Sequence, residues 1–137
     1  MFLENSNKKY KSNKTCLYSC QYHVIFCPKY RRKVLTENIE KRLKQLILEL
    51  QKTYKYEILE IEIMPDHVHL LIDVDPKFGI YNVVNKIKGK SSKILREEFS
   101  ELKSKLPTLW TRSRFISTVG SVSLETVKKY IEDQKNK

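Results

Sequence analysis

The strict alternation of residues 67–74 constrains the fold of this chain more than any other feature. Successive side chains of a strand point to opposite faces, and here the even positions, from Val68 to Val74, are all apolar. Two of the odd positions are His67 and His69. Same-face neighbours on a strand lie about 7 Å apart at Cα, so these imidazoles can converge on one divalent metal ion. The segment therefore predicts a strand that buries one face and offers two candidate metal ligands on the other.

The composition favours one globular, nucleic-acid-binding domain over residues 1–137. Hydrophobic residues make up 40% of the chain, which is enough for a core. A net charge of +11 predicts a polyanionic partner, with nucleic acid first, an anionic membrane surface second, and a merely basic protein as the alternative. No apolar run approaches the roughly 20 residues of a membrane span, so we expect no membrane segment.

The N-terminal segment and the cysteines indicate a reducing, intracellular setting. Residues 1–14 are predicted to be a flexible basic arm without an apolar signal core, so we expect a cytoplasmic protein. Cys16, Cys20 and Cys27 are odd in number and form no CxxC pair. They are therefore expected to be free thiols rather than a disulfide or zinc framework.

The order of predicted elements indicates the fold class. Aromatic and β-branched residues predict a strand at 16–26, helical periodicity predicts a helix at 37–53, and alternation predicts strands at 56–63 and 67–74. The remaining predictions are a helix at 80–99, a strand at 111–119 and a terminal helix that begins near Ser123, within 121–137. This β-α-β-β-α-β order predicts an α+β, ferredoxin-like antiparallel sheet with two helices on one face. The other face is left free for ligand.

Two imidazoles do not complete a metal site, so a third ligand is needed. Glu62, Asp66 and a side chain of the terminal helix are the candidates. In that helix, Tyr130 and Gln134 are spaced i, i+4 and lie on one face. A tyrosine beside a metal site in a basic protein suggests a nucleophile for phosphodiesters. Because the chain has eight tyrosines, packing is the alternative role.

Two basic segments are candidates for nucleic-acid contact. One interleaves an aromatic ring with cations, as single-stranded nucleic acid requires, and consists of Lys29, Tyr30, Arg31, Arg32 and Lys33. The other is one face of the second helix, with Lys86, Lys90 and Lys93. A solvated charged surface is the alternative for both.

Two further features, the segment 88–92 and His23, receive no chemical role from the sequence. Residues 88–92 resemble a phosphate loop only superficially, because the first glycine is missing and the segment lies within a helix, so NTP binding is excluded. Gly89 is instead expected to allow close helix packing. His23, in the first strand, is expected to be structural.

Four segments together resemble the single-tyrosine HUH transposases of small insertion sequences, called TnpA. They are Val24 to Arg32, Met64 to His69 with its histidine–hydrophobic–histidine motif, Leu106 to Trp110, and Tyr130 to Gln134. The resemblance implies that His67, His69 and Gln134 hold Mg²⁺ or Mn²⁺ and that Tyr130 is the nucleophile. It also implies a homodimer with composite sites.

The same resemblance implies the substrate and the reaction. The substrate would be single-stranded DNA with hairpins near the ends of an insertion sequence. It would be cleaved and rejoined through a 5′-phosphotyrosine. The alternative is a non-catalytic or domesticated single-stranded nucleic-acid-binding protein on the same fold.

Overall fold

The computed structural model, which describes residues 10–119 and 124–136, is built around a four-stranded antiparallel sheet. Its strands are β3 (Gln21–Phe26), β4 (Tyr56–Met64), β5 (His67–Val74) and β6 (Phe115–Thr118). They lie in the order β4-β5-β3-β6, so the first long strand pairs with both β5 and β6. Two short strands, β1 (Lys11–Ser12) and β2 (Leu17–Tyr18), form a separate pair. The predicted ferredoxin-like arrangement is confirmed.

Helices cover one face of this sheet. They are α1 (Glu37–Glu49), α2 (Gln51–Tyr54), α3 (Ile80–Glu98) and α4 (Ser100–Lys105). The buried stripes of α1 and α3 join the even positions of β5 and the alternate residues Val24 and Phe26 of β3 in one core. This packing follows from the amphipathic periodicity of both helices. A bidentate ion pair between Arg42 and Glu98, with Nε 2.8 Å from Oε1, links α1 to α3.

The terminal helix α5 (Leu124–Asp133) is followed by a 3₁₀ turn at Gln134–Asn136. That turn packs against a second 3₁₀ turn, Lys29–Arg31, which follows β3. The chain therefore returns its C-terminal end to the loop after its first long strand. Among the described residues, no helix combines the length and the apolar character that a membrane span requires.

Several predicted boundaries differ from the structure. The strand predicted at 16–26 is interrupted between β2 and β3, where the backbone N–H of Cys20 donates to the Asp73 side chain (3.1 Å). Part of the predicted arm is ordered, because β1 pairs with β2. Residues 1–9 of the arm and the predicted helix start at Ser123 lie outside the described residues.

Three other expectations are corrected. The helix predicted at 37–53 is divided into α1 and α2, and α4 was not predicted at all. The last strand is shorter than 111–119 because the carbonyl groups of residues 111–113 bond a side chain of α3 rather than a neighbouring strand. The prediction that Gly89 allows close helix packing is wrong, since a Cβ added there would meet no atom within 4 Å.

Candidate active site

His67 and His69 lie on the sheet face opposite the helices, as the alternation predicts. His69 is paired with Ile25 across β3 and β5, which brings His23 diagonally beside it on the same face. Nδ1 of His23 lies 3.2 Å from Nε2 of His69. Burial, followed by the neighbouring His23, lowers the pKa of His69 below its ordinary value. This favours the neutral imidazole, which is the form that binds metal ions.

Asp66 orients His67 from the turn between β4 and β5. Its Oδ1 lies 2.9 Å from Nδ1 of His67, which leaves Nε2 as the ring nitrogen available to a ligand. A carboxylate bonded to the second nitrogen of a histidine is the usual support of a metal-binding imidazole. The other oxygen of Asp66 is 3.0 Å from Nε of Arg31. Both oxygens are thus committed, and Asp66 fits a supporting role better than the third-ligand role considered from the sequence.

Glu62, the other acidic candidate, stands opposite His69 in the register of β4 and β5. Directly opposed residues of a strand pair share a face of the sheet. Glu62 opposes the lowering of the His69 pKa, but burial and His23 outweigh it. The structure therefore places this carboxylate beside the imidazoles without a fixed contact to them.

Tyr130 projects from α5 onto the last sheet strand. Its hydroxyl lies 2.8 Å from Oγ of Ser113, and its ring centroid lies 5.3 Å from that of Phe115. The side chain is half-buried, and burial raises the pKa of the phenol above its ordinary value, while the bond to Ser113 opposes that rise. The hydroxyl is therefore held in one position and protonated at neutral pH.

Gln134 carries an unpaired oxygen inside the protein. The residue is only 2% exposed, and its Nε2 donates to the backbone carbonyl of Tyr130 (3.2 Å). Its Oε1 is buried and has no hydrogen-bond partner. A buried carbonyl oxygen without a partner is costly, and a ligand is one way to satisfy it.

Two imidazoles and an amide oxygen are groups that a divalent cation can accept as ligands. Within residues 10–119 and 124–136, no three His, Cys, Asp or Glu side chains come together as a metal-binding group. A site built on the imidazoles therefore needs a ligand of another type, and amide oxygens such as Oε1 of Gln134 are accepted by Mg²⁺ and Mn²⁺. The orphaned oxygen and the oriented His67 are the two observations that support this fit.

The sequence profile described as "Transposase IS200 like" matches residues 16–134, a range that contains every candidate site residue named above. The chain belongs to the IS200-like transposase family.

Relatives of this transposase cover nearly its whole length. It is 35% identical to the ISDra2 transposase TnpA of Deinococcus radiodurans over 129 residues, which is 93% of this chain and 92% of that protein. It is 33% identical to the transposase of insertion sequence IS200 from Salmonella typhimurium over 119 residues, 85% of this chain and 78% of the relative.

Two solved structures resemble the transposase. A candidate transposase from Deinococcus radiodurans R1 superposes with a TM-score of 0.82 at 31% identity, covering 90% of this chain and 97% of the other. A REP-associated tyrosine transposase bound to a REP hairpin has a TM-score of 0.56 at 13% identity, covering 88% and 69%. The second likeness shows the fold alone. The predicted family is thereby confirmed.

The predicted DNA-binding residues of the transposase are divided between two elements. In the loop after β3, Tyr30, Arg32 and Lys33 are exposed, Lys29 is half-buried, and Arg31 turns inward. Lys86, Lys90 and Lys93 are exposed on α3, which lies on the sheet face opposite the imidazoles. Their contacts to DNA stay a prediction, and the structure does not merge them into one surface.

Sequence reasoning missed a buried lysine. Lys88 is 7% exposed, and its Nζ donates to the carbonyl oxygens of Thr111 (2.8 Å), Arg112 (3.4 Å) and Ser113 (3.2 Å). Burial lowers the pKa of Lys88 to about 8. The lysine thus shapes the segment whose Ser113 contacts Tyr130.

No sequence signal distinguishes Lys88 from the exposed lysines of the same helix. The nearest hint is its position on the buried stripe of α3, between Val84 and Ser91, which are both buried. The contact of His23 with His69 was missed for a similar reason. This contact depends on the pairing of β3 with β5, which the sequence of neither strand indicates by itself.

Proposed function

We propose that this transposase is a divalent-metal-dependent endonuclease and strand transferase that acts on single-stranded DNA at the ends of an insertion sequence. The observation that carries the proposal is the position of α5. Its Tyr130 and Gln134 face the sheet, and its last turn is bonded through Arg31 to the Asp66 that orients His67. The helix that carries the candidate nucleophile and the unpaired amide oxygen is thus linked by side-chain bonds to the imidazole of His67.

His67, His69 and Gln134 are proposed to hold Mg²⁺ or Mn²⁺. When bound, the ion would polarise the scissile phosphate and neutralise the charge that develops on it. The protein prepares this site in two ways. Asp66 fixes the ring of His67, and the lowered pKa of His69 keeps its imidazole neutral. The buried Oε1 of Gln134 gains the partner that it lacks within the protein.

Tyr130 is proposed to attack the phosphorus. The phenolic oxygen forms the new P–O bond, the P–O3′ bond breaks, the phenolic proton is released, and the departing 3′ oxygen takes up a proton. The product is a 5′-phosphotyrosine and a free 3′-OH. Because the ester keeps the energy of the phosphodiester, a 3′-OH of another strand can reverse the step and join new ends. No nucleotide triphosphate is consumed.

The proposed substrate is single-stranded DNA with a hairpin. A distant structural relative is a tyrosine transposase bound to a REP hairpin, and this chain has a net charge of +11 with an exposed aromatic ring in a basic loop. Phosphates would meet the lysines and arginines while an unpaired base stacks on Tyr30. One tyrosine holds one DNA end at a time, so excision of an element with two ends requires a homodimer. We expect the reaction in the cytoplasm.

A covalent adduct tests the proposal. The full chain is incubated with Mn²⁺ and a 5′-labelled or 3′-labelled hairpin-bearing single strand, and the products are separated on a denaturing gel. We expect protein-linked label with the 3′-labelled strand and not with the 5′-labelled strand, because Tyr130 would be joined to the 5′ phosphate of the downstream fragment. No adduct should form when EDTA replaces the metal. Tyr130→Phe should bind the hairpin as the wild type does and form no adduct, because it lacks only the attacking oxygen.

Tyr81→Phe is the matched control, since Tyr81 is 64% exposed and lies on α3. It should form the adduct at the wild-type level. An adduct in Tyr130→Phe, or cleavage by the wild type without any protein-linked product, would contradict the assignment of the nucleophile. Hairpin binding without cleavage in every metal tested would favour the alternative function, a non-catalytic single-stranded nucleic-acid-binding protein.

A further inference from the structure

The side chain of Arg31 connects three parts of the candidate site. Its Nε lies 3.0 Å from Oδ2 of Asp66, whose other oxygen holds His67. Its Nη1 donates to the backbone carbonyl of Ile131 (3.2 Å) and lies 3.5 Å from Oε1 of Glu132. One guanidinium therefore links the carboxylate behind the imidazole to the last turn of the tyrosine helix.

The chemistry of the guanidinium suits this bridge. It offers five N–H donors in a rigid planar fork, so it can bond a carboxylate on one side and a carbonyl on another. Carbonyl groups in the last turn of a helix lack intrahelical donors and form the negative end of its dipole. Arg31 satisfies the carbonyl of Ile131, while the amide of Gln134 satisfies that of Tyr130.

The backbone of the loop is shaped to deliver this side chain. Tyr30 and Arg31 have φ angles of 59° and 52°, in the left-handed region that residues other than glycine rarely adopt. Such a conformation persists where the surroundings fix it, and it is most common at functional sites. As a result, the Arg31 side chain is only 16% exposed, whereas Arg32 beside it is exposed to solvent.

We propose that Arg31 is a positioning residue that locks α5 onto the Asp66–His67 pair and thereby holds Gln134 and Tyr130 at the imidazoles. The sequence grouped Arg31 with the DNA-binding residues, but its donors are already directed at protein acceptors. The inference rests on the proposed roles of Gln134 as a ligand and Tyr130 as the nucleophile. It adds the group that would couple the docking of the helix to the assembly of the metal site.

The first test measures Mn²⁺ affinity of the full chain without DNA, by electron paramagnetic resonance of the free ion. Arg31→Lys keeps the charge but replaces the planar fork with one ammonium, which cannot span both acceptors. We expect it to weaken Mn²⁺ binding about 10- to 100-fold, the usual effect of losing a group that orients metal ligands. The matched control, Arg32→Lys, should bind Mn²⁺ as the wild type does. Equal affinities in all three proteins would overturn the proposal.

The second test is a double-mutant cycle on the same affinity. If Arg31 acts by holding Gln134 in place, Arg31→Lys should have little further effect in a Gln134→Ala background. Additive effects of the two substitutions would show that Arg31 acts independently of Gln134 and would refute the lock. Amide hydrogen exchange of residues 124–136 is an independent readout. It should be faster in Arg31→Lys than in Arg32→Lys, and equal rates would also refute the lock.

The third test separates positioning from DNA contact. At saturating hairpin DNA with Mn²⁺, Arg31→Lys should form little adduct although its DNA affinity stays near that of the wild type. Recovery of wild-type adduct yield as the DNA concentration rises would identify Arg31 as a phosphate contact instead. Failure of the proposed function is a different result, namely no adduct in the wild type and no effect of Gln134→Ala on Mn²⁺ affinity. In that case the exchange rates of α5 still decide whether Arg31 locks the helix.

Discussion

We predict that Lys88 contributes a stability that rises with pH. Burial lowers the pKa of this ammonium from 10.5 to about 8, so charging it costs the native state about 3 kcal/mol relative to the unfolded chain. Below about pH 8 both states carry the proton, and the full cost is present. Between about pH 8 and 10.5 the unfolded chain binds more protons than the native protein, so the free energy of unfolding increases.

The perturbation that exposes this effect is Lys88→Met, which removes the titrating group but keeps a long unbranched side chain. From about pH 7 to 9.5 we expect the wild type to gain about 2 kcal/mol of unfolding free energy relative to the variant. Urea titrations followed by Trp110 fluorescence can measure it, since Trp110 is the only tryptophan and is buried. Both proteins must be compared at one concentration, because the proposed homodimer would couple stability to concentration.

Lys86→Met is the matched control, as it removes a lysine from an exposed position of the same helix. The reasoning is refuted if the wild type and Lys88→Met keep a constant stability difference across this pH range. It is also refuted if the difference changes in the opposite direction, with the wild type losing stability relative to the variant as pH rises. Either result would mean that the carbonyl groups of residues 111–113 stabilise the charged ammonium at least as well as water does.

Two further predictions concern catalysis and DNA affinity. Ser113→Ala removes the hydroxyl that lowers the pKa of Tyr130, so the rate of adduct formation should reach its maximum at a higher pH than in the wild type, as measured by quenched time courses with Mn²⁺. An unchanged pH profile would argue against this contact. Hairpin affinity should fall steeply between about 50 and 200 mM salt, and Lys90→Gln should reduce the slope of log K against log salt by about 1 if Lys90 touches a phosphate. A slope unchanged by Lys90→Gln would exclude Lys90 as a phosphate contact.

The elements that the sequence predicted well are those whose signal is local. Strand β5 has the predicted bounds of 67–74, and α3 ends within one residue of the prediction. Both segments have a periodic pattern of apolar residues that indicates their bounds. The break between β2 and β3 depends instead on a bond from Cys20 to Asp73, 53 residues away. Helix α4 carries a single buried apolar residue, Leu102, and so lacks a periodic stripe.

The candidate site shows the same contrast between features with a local sequence signal and features that depend on distant partners. His67, His69, Tyr130 and Gln134 were found from spacing and from resemblance to a family, and their roles stay predictions. The supporting roles of Asp66 and Arg31 were not predicted, because the bond between them joins residues far apart in sequence. Asp66 was considered a ligand and Arg31 a DNA contact, whereas the structure bonds them to each other. A side chain's type and spacing indicate what it can do, but its partner decides what it does.

The bond from Arg31 to the carbonyl of Ile131 joins residues 100 positions apart. A chain interrupted before residue 124 would keep the imidazoles and the lysines of α3 while lacking the nucleophile. If the proposed hairpin contacts lie on the sheet and α3, such a fragment would occupy hairpins without cutting them, and a premature stop late in this reading frame would turn a mobile element's own product into its repressor.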